Sequence, residues 1–285
     1  MAGRRVLVIG GTGKIGRPLT ALLRERGAEA VVLARGPGPG GIALDTADAA
    51  GLEAAARGFD AAFLTTPLGP EEAAIGTAAV AALRRAGVSR IVYIGIHNLE
   101  AMQAIPHFAA KIPVKAAVLE CEGGTVLQPN FFFQNDLLAL PAIVHGGIYP
   151  MPIGSAGVWS LDAADIALAA SNALIDGKGL GAAVNLCGPE ALTGPAYAAN
   201  WSAALGRPVI YPGDDIAPFL GAMEQAIPGF GDWEREDFRL MMEVTQTLGC
   251  PATGADHAAT RAILGRAPRS HRDFIADALK EETPA

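Results

Sequence analysis

Cysteine is scarce in this chain: Cys121, Cys187 and Cys250 stand far apart among 285 residues and form no C-x-x-C pair. That count excludes a disulfide framework or a zinc site of the usual spacing, and the three read as buried thiols. Basic charge is short too. With 22 Lys and Arg against 29 Asp and Glu, the net charge of −7 leaves no basic face for a run of phosphates, which argues against nucleic acid as a partner. A small anionic ligand needs only a local site and stays open. No apolar run approaches the roughly 18 to 20 residues of a membrane span, and a strand begins too early for a signal peptide. A soluble, cytoplasmic protein is expected. The chain also lacks a G-x-S-x-G elbow and an H-E-x-x-H pair, and its histidines (97, 107, 145, 257 and 271) have no metal-ligand spacing, so no metal is expected.

What is present is glycine, and one arrangement of it organises the rest. Val6-Leu7-Val8-Ile9 breaks into Gly10-Gly11-Thr12-Gly13-Lys14-Ile15-Gly16, after which Ile15, Leu19, Leu22 and Leu23 recur at helical spacing. This reads as strand, phosphate turn and helix N-terminus. Glycines at 10, 13 and 16 permit positive φ and let a diphosphate approach bare backbone N–H groups. Gly27 is placed to end the helix.

Further strands are expected at 28–34, 42–45, 60–64, 88–94 and 124–128. Between them lie helices at 47–57 and 70–85 and helical material around His107-Phe108-Ala109-Ala110-Lys111. Alternation at this spacing demands right-handed crossovers and a doubly wound parallel sheet. Ligands of such sheets bind at the carboxyl ends of the strands, here Gly10–Gly16, Arg35, Thr65–Pro67, Gly95–Asn98 and Pro129–Phe133. Beyond Pro129 the pattern loosens. A helix at 162–175 and a strand at 183–187 return to the sheet, and 188–285 reads as a mostly helical lobe with helices near 194–205, 216–226, 232–248 and 269–280. The domains are therefore drawn as 1–187, with a cleft-forming insertion near 129–160, and 188–285.

The second strand decides between NAD and NADP. Glu29 lies at a suitable distance from the glycines but at the strand's start, remote from the ligand. Arg35 lies at the exit and offers a planar fork to a 2′-phosphate, so NADP is preferred.

Taken together, these residues resemble the NmrA-like group of atypical short-chain dehydrogenases/reductases. The likeness runs from the glycine turn and Arg35 through Tyr93-Ile94-Gly95-Ile96-His97-Asn98-Leu99 and His107-Phe108-Ala109-Ala110-Lys111. It continues through Gln128-Pro129-Asn130-Phe131-Phe132-Phe133-Gln134-Asn135 to Gly188-Pro189-Glu190-Ala191-Leu192-Thr193-Gly194. The resemblance implies a Rossmann-type fold binding NADP(H), with Gly10, Thr12, Gly13, Lys14, Ile15 and Gly16 at the pyrophosphate and Arg35 at the 2′-phosphate. It further implies Asp45 at the adenine edge, Thr65, Thr66 and Pro67 at the central riboses, Lys111 at the nicotinamide ribose, and Asn130 and Phe131 beside the nicotinamide. Members of the group reduce quinones, dyes or other conjugated acceptors, or sense the cofactor without turnover.

The usual catalytic dyad is missing. None of Tyr93, Tyr149, Tyr197 and Tyr211 has a lysine four residues on, and the usual serine after the fifth strand is replaced near Gly95. His107 and Lys111 are the candidate catalytic pair, four apart on one helix face; His107 reads first as a packing group and second as a proton donor. Pro113 is expected to disturb the helix just past Lys111. His97 and Asn98 are candidates for the substrate or ordinary loop residues. Of Phe131, Phe132 and Phe133 only one is expected to face the pocket, with Phe132 the substrate candidate. Trp159, Trp201 and Trp233 are assigned to packing. The function expected is NADPH-dependent reduction of a conjugated or quinone-like small molecule by a monomer or homodimer, the alternative being an NADP(H) sensor.

Overall fold

The computed structural model describes residues 3–282. Strand β1 (Arg5–Ile9) leads into α1 (Gly16–Glu25) and β2 (Glu29–Ala34). Next come β3 (Ile42–Ala43), α2 (Ala49–Ala56), β4 (Ala61–Leu64), α3 (Glu72–Arg85) and β5 (Arg90–Ile94). They are followed by α4 (Pro106–Leu119), β6 (Gly124–Pro129), a 3-10 segment (Phe133–Ala139) and α5 (Leu140–Val144). Then come α6 (Ala163–Asp176), β7 (Ala183–Leu186), α7 (Gly194–Leu205) and α8 (Ala217–Ala226). Helices α9 (Asp232–Leu248), α10 (Gly254–Leu264) and α11 (His271–Glu282) complete the order.

The strands form one parallel sheet in the order β3-β2-β1-β4-β5-β6-β7. Chain order reverses direction across the sheet between β1 and β4, so the connections leaving those two strands part and open a crevice at their carboxyl ends. Central strands are apolar on both faces because both are covered: Val6 to Ile9, Ala61 to Leu64 and Ile91 to Ile94 are all buried. Helices α2, α3 and α4 pack one face around Leu52, Val80, Leu83, Val114 and Val118, while α6 packs against α1 and the central strands on the other. This is the α/β doubly wound sheet that the alternation requires.

The chain forms two compact units. The first comprises residues 1–129, 163–186 and 258–266; the second comprises 130–162, 187–257 and 267–285. The chain thus passes from one unit to the other five times. In the first unit, residues 258–266 pack on α6, with Asn172 Nδ2 donating to the Ile263 carbonyl at 2.8 Å.

Several local expectations are corrected. Strand β3 stops at Ala43 because Asp45 folds back and accepts from the Ala47 N–H at 3.0 Å. Helix α3 starts at Glu72 rather than Pro70. Helix α4 runs unbroken through Pro113, which lies on its exposed side, where losing one N–H and bending locally are tolerated. Helix α10 has no counterpart in the sequence reading. Cys187 and Cys250 are buried, but Cys121 is only half-buried, its Sγ donating to the Ala117 carbonyl at 3.3 Å. Burial pushes the Cys250 thiol up to about 12, so it remains a thiol at neutral pH. Among the described residues no helix is long and apolar enough to cross a membrane, and no group of three or more His, Cys, Asp or Glu is arranged to hold a metal ion.

Candidate functional site

The glycine turn between β1 and α1 is built by backbone alone. Gly10 adopts φ +79, and its N–H donates to the Leu33 carbonyl at 3.0 Å while its own carbonyl accepts from Gly13 at 3.0 Å. A Cβ on Gly10 would lie 2.1 Å from Thr65 Oγ1, and one on Gly16 would lie 2.3 Å from the Gly10 carbonyl oxygen. Only glycine lets the helix start so close to the turn. No side chain caps α1 at Ile15. In its first turn the Arg17 N–H donates to the Gly13 carbonyl at 3.1 Å, the Leu19 N–H donates to the Ile15 carbonyl at 3.0 Å and Pro18 has no N–H, so what the helix start itself offers an anion is the positive end of its dipole. Thr12, Gly13 and Lys14 are exposed beside it, and Ile15 is buried beneath.

At position 16 the obstacle is backbone, which cannot swing aside. Gly16→Ala is therefore expected to destabilise the chain by about 2–3 kcal/mol as an overpacking substitution, read as a fall in melting temperature. A melting temperature within about 2 °C of the parent would show that the turn yields.

A cavity of about 670 Å³ opens from this turn, within the range of small-molecule sites. Its walls include Gly10, Thr12, Arg35, Asp45, Thr65, Thr66, Pro67 and Glu71, with Leu33, Leu44 and Ile75 supplying apolar surface. Arg35 is exposed at the exit of β2, free to meet an anion, whereas Glu29 at the strand's start is paired with Arg5 at 3.1 Å. Bare amides, a dipole end, a guanidinium and an apolar slot together suit a ligand with a diphosphate, a second phosphate and a flat ring.

Deeper in the first unit, α4 places Lys111 against α3 and β5. Lys111 Nζ pairs with Glu72 Oε1 and donates to Thr66 Oγ1 at 3.2 Å. The ring of Tyr93 lies beneath the ammonium, 5.8 Å from its centroid, with the phenol 3.4 Å from Thr66 Oγ1. Burial holds the Tyr93 phenol well above its usual range, so it stays protonated. His107, one turn before Lys111, is buried with its ring edge-on to Phe108 at 4.7 Å. His97 is fully enclosed, its backbone N–H donating to the Pro129 carbonyl at 3.0 Å. Asn98, half-buried, holds φ +56, the single positive φ on a non-glycine among the described residues. A Cβ at Gly95 would come within 3.2 Å of Val126 Cγ1, so a side chain there requires Val126 to shift slightly.

Asn130, Phe131 and Phe132 belong to the second unit. Asn130 Nδ2 donates to the Cys250 carbonyl at 2.9 Å and Oδ1 accepts from the Phe131 N–H at 2.9 Å, so this side chain ties its loop to the segment that follows α9. Phe131 and Phe132 are half-buried and Phe133 is core, packed on Phe274 and His271. Sequence reasoning missed two groupings. One is Glu72, five residues past Pro67 at the first position of α3, which only that place would have signalled. The other is a buried network in the second unit, in which Asp136 accepts from Trp201 Nε1 at 2.7 Å, Tyr149 at 3.0 Å and His271 Nε2 at 2.8 Å.

A doubly wound parallel sheet with this turn and cavity defines a dinucleotide-fold protein. The NmrA-like family pattern matches residues 3–246, and the chain belongs to that family. It is 34% identical over 240 residues to the NAD(P)H azoreductase of Xenophilus azovorans, covering 79% of this chain and 81% of that one. It is 30% identical over 215 residues to the (4-alkanoyl-5-oxo-2,5-dihydrofuran-3-yl)methyl phosphate reductase of Streptomyces griseus, covering 72% and 75%. The NADPH-dependent quinone oxidoreductase of Escherichia coli in complex with NADPH superposes with a TM-score of 0.80 at 20% identity, covering 96% of this chain and 99% of that one. At that identity the likeness is one of fold.

Proposed function

We propose that this protein is an NADPH-dependent reductase that delivers hydride to a conjugated small-molecule acceptor of the azo, quinone or unsaturated-carbonyl kind. The observation that carries the reading is the cavity with the glycine turn at one end and Arg35 and Asp45 at the other. Gly10, Gly13 and Gly16 would keep the turn open so that amides near Thr12, Lys14 and Ile15 hold a diphosphate. Arg35 would grip the 2′-phosphate, Asp45 the adenine edge, and Thr65 to Pro67 the ribose wall. Bound NADPH supplies the hydride. Lys111 would hold the ribose next to the reacting ring through its charge and the Thr66 hydroxyl. Within the first unit Asn98, half-buried, is the proposed acceptor contact, whereas His97 is fully enclosed and is corrected to an interior residue.

The acceptor class rests on two relatives whose names specify an azo compound and an unsaturated lactone, both electron-poor and conjugated. Such acceptors take hydride without strong acid catalysis, which fits a site whose tyrosine and histidine are enclosed. That same enclosure favours the second reading, an NADP(H) sensor without turnover.

Absorbance assays of NADPH consumption against azo dyes, quinones and unsaturated lactones test both. Turnover on the order of 1 s⁻¹ or faster with at least one acceptor is expected of the reductase. Tight NADPH binding with no acceptor reduced would establish the sensor instead.

A further inference from the structure

Resting on the cofactor reading just given, we propose that Glu72 is the positioning residue that holds Lys111 ready for NADPH. Glu72 opens α3 one turn beyond the Thr65–Pro67 wall, and its side chain is 1% exposed. Its Oε1 accepts from Lys111 Nζ and, at 2.5 Å, from Thr66 Oγ1, while Lys111 donates to Thr66 at 3.2 Å. These three groups close a triangle, and Thr66, its third corner, lines the cavity. A lysine stem has several rotatable bonds and samples many directions when its ammonium has no fixed partner. The carboxylate takes that freedom away and holds the charge against Thr66, which lines the cavity.

Two details set this pair apart from one that serves the fold alone. Burying an ion pair is a poor way to stabilise a core, because desolvation of both charges offsets their attraction and an apolar pair of similar volume serves as well. Glu72 Oε2 is moreover enclosed without a hydrogen-bond partner, so the carboxylate is under-satisfied in the fold by itself. The N-terminus of α3 offsets part of its charge, which lets an acid persist there. No short motif contains Glu72; it lies 39 residues from the lysine it holds.

The test is a titration of the full chain with NADPH, following nucleotide fluorescence, on the parent, Glu72→Gln, Lys111→Met and the double variant, each checked by thermal melting. Glu72→Gln is expected to raise the Kd for NADPH by about tenfold while still melting cooperatively, a loss typical of a displaced charge-assisted contact. In the Lys111→Met background the Glu72 substitution is expected to change Kd by less than about twofold, since the carboxylate acts through the lysine. Two results overturn the proposal: a folded Glu72→Gln with the parent's Kd, or losses that multiply in the double variant. If Glu72→Gln fails to fold, Glu72→Asp, which keeps the charge and shortens its reach, takes its place, and a parent-like Kd again overturns the proposal. A parent chain that binds no NADPH removes the cofactor reading and this one together. A parent that binds while Lys111→Met keeps its Kd removes this one alone.

Discussion

Replacing Arg35 with aspartate is expected to weaken NADPH binding by about 100-fold, or about 2.7 kcal/mol, while NADH binding changes by less than about threefold. The proposed 2′-phosphate partner is a guanidinium at the exit of β2, on the cavity wall and exposed, so its substitution disturbs no packing. Aspartate removes a two-pronged charge-assisted contact and puts a like charge against a phosphate dianion. NADH has no phosphate at that ribose and meets only a hydroxyl there, for which a carboxylate is a normal partner. Parallel titrations with both nucleotides measure the ratio. Equal losses for the two would remove Arg35 as the selector and leave the choice to other residues of the β2–β3 loop.

The second large effect belongs to the second unit. Asp136→Ala is expected to lower stability by about 3–6 kcal/mol, because it leaves the buried donors of Trp201, Tyr149 and His271 without their acceptor. The protonation pattern of this network follows from its geometry. Arg272 Nε can only donate, and it meets Asn200 Oδ1 at 3.1 Å, which turns the Asn200 amide nitrogen toward His271 Nδ1 at 3.2 Å. Nδ1 is then the acceptor and Nε2 the donor to Asp136. Asp136 is thus a buried acceptor with three donors, and stacked Tyr149 and Tyr197 close one side of it. Both phenols are held well above their usual range by burial, so they keep their protons as donors. A loss of that size is expected to lower the melting temperature by about 10–20 °C and to erase near-ultraviolet dichroism from Trp201. A shift under about 3 °C would mean that water replaces the carboxylate and that the network contributes little.

The parts of the molecule legible in the sequence are those written in short-range pattern. Strand β1, its glycine turn and α1 lie within twenty-odd consecutive residues, and both the apolar run and the glycine spacing are local signals. The parallel sheet follows from the alternation of such segments. Helix α10 escaped because its sequence is rich in alanine and buries only Thr260, Ile263 and Leu264 near its end, too little for a visible stripe. Pro113 misled because the cost of a proline inside a helix, one missing N–H bond and a ring crowding the carbonyl four residues back, is local, and packing of the rest of α4 offsets it. Glu72 with Lys111, and Asp136 with His271, escaped for a different reason. Each is a pairing across 39 and 135 positions, made by the sheet order or by helices meeting, and no periodicity marks it.

The interleaving of the chain has a consequence for synthesis. Residues 258–266 complete the first unit, and the Asn172 amide waits for the carbonyl of Ile263, 91 positions downstream. During translation, a nascent polypeptide released up to β7 has all seven strands of its sheet but lacks the segment that seals α6. The first unit therefore reaches its complete set of contacts only once residue 266 has left the ribosome.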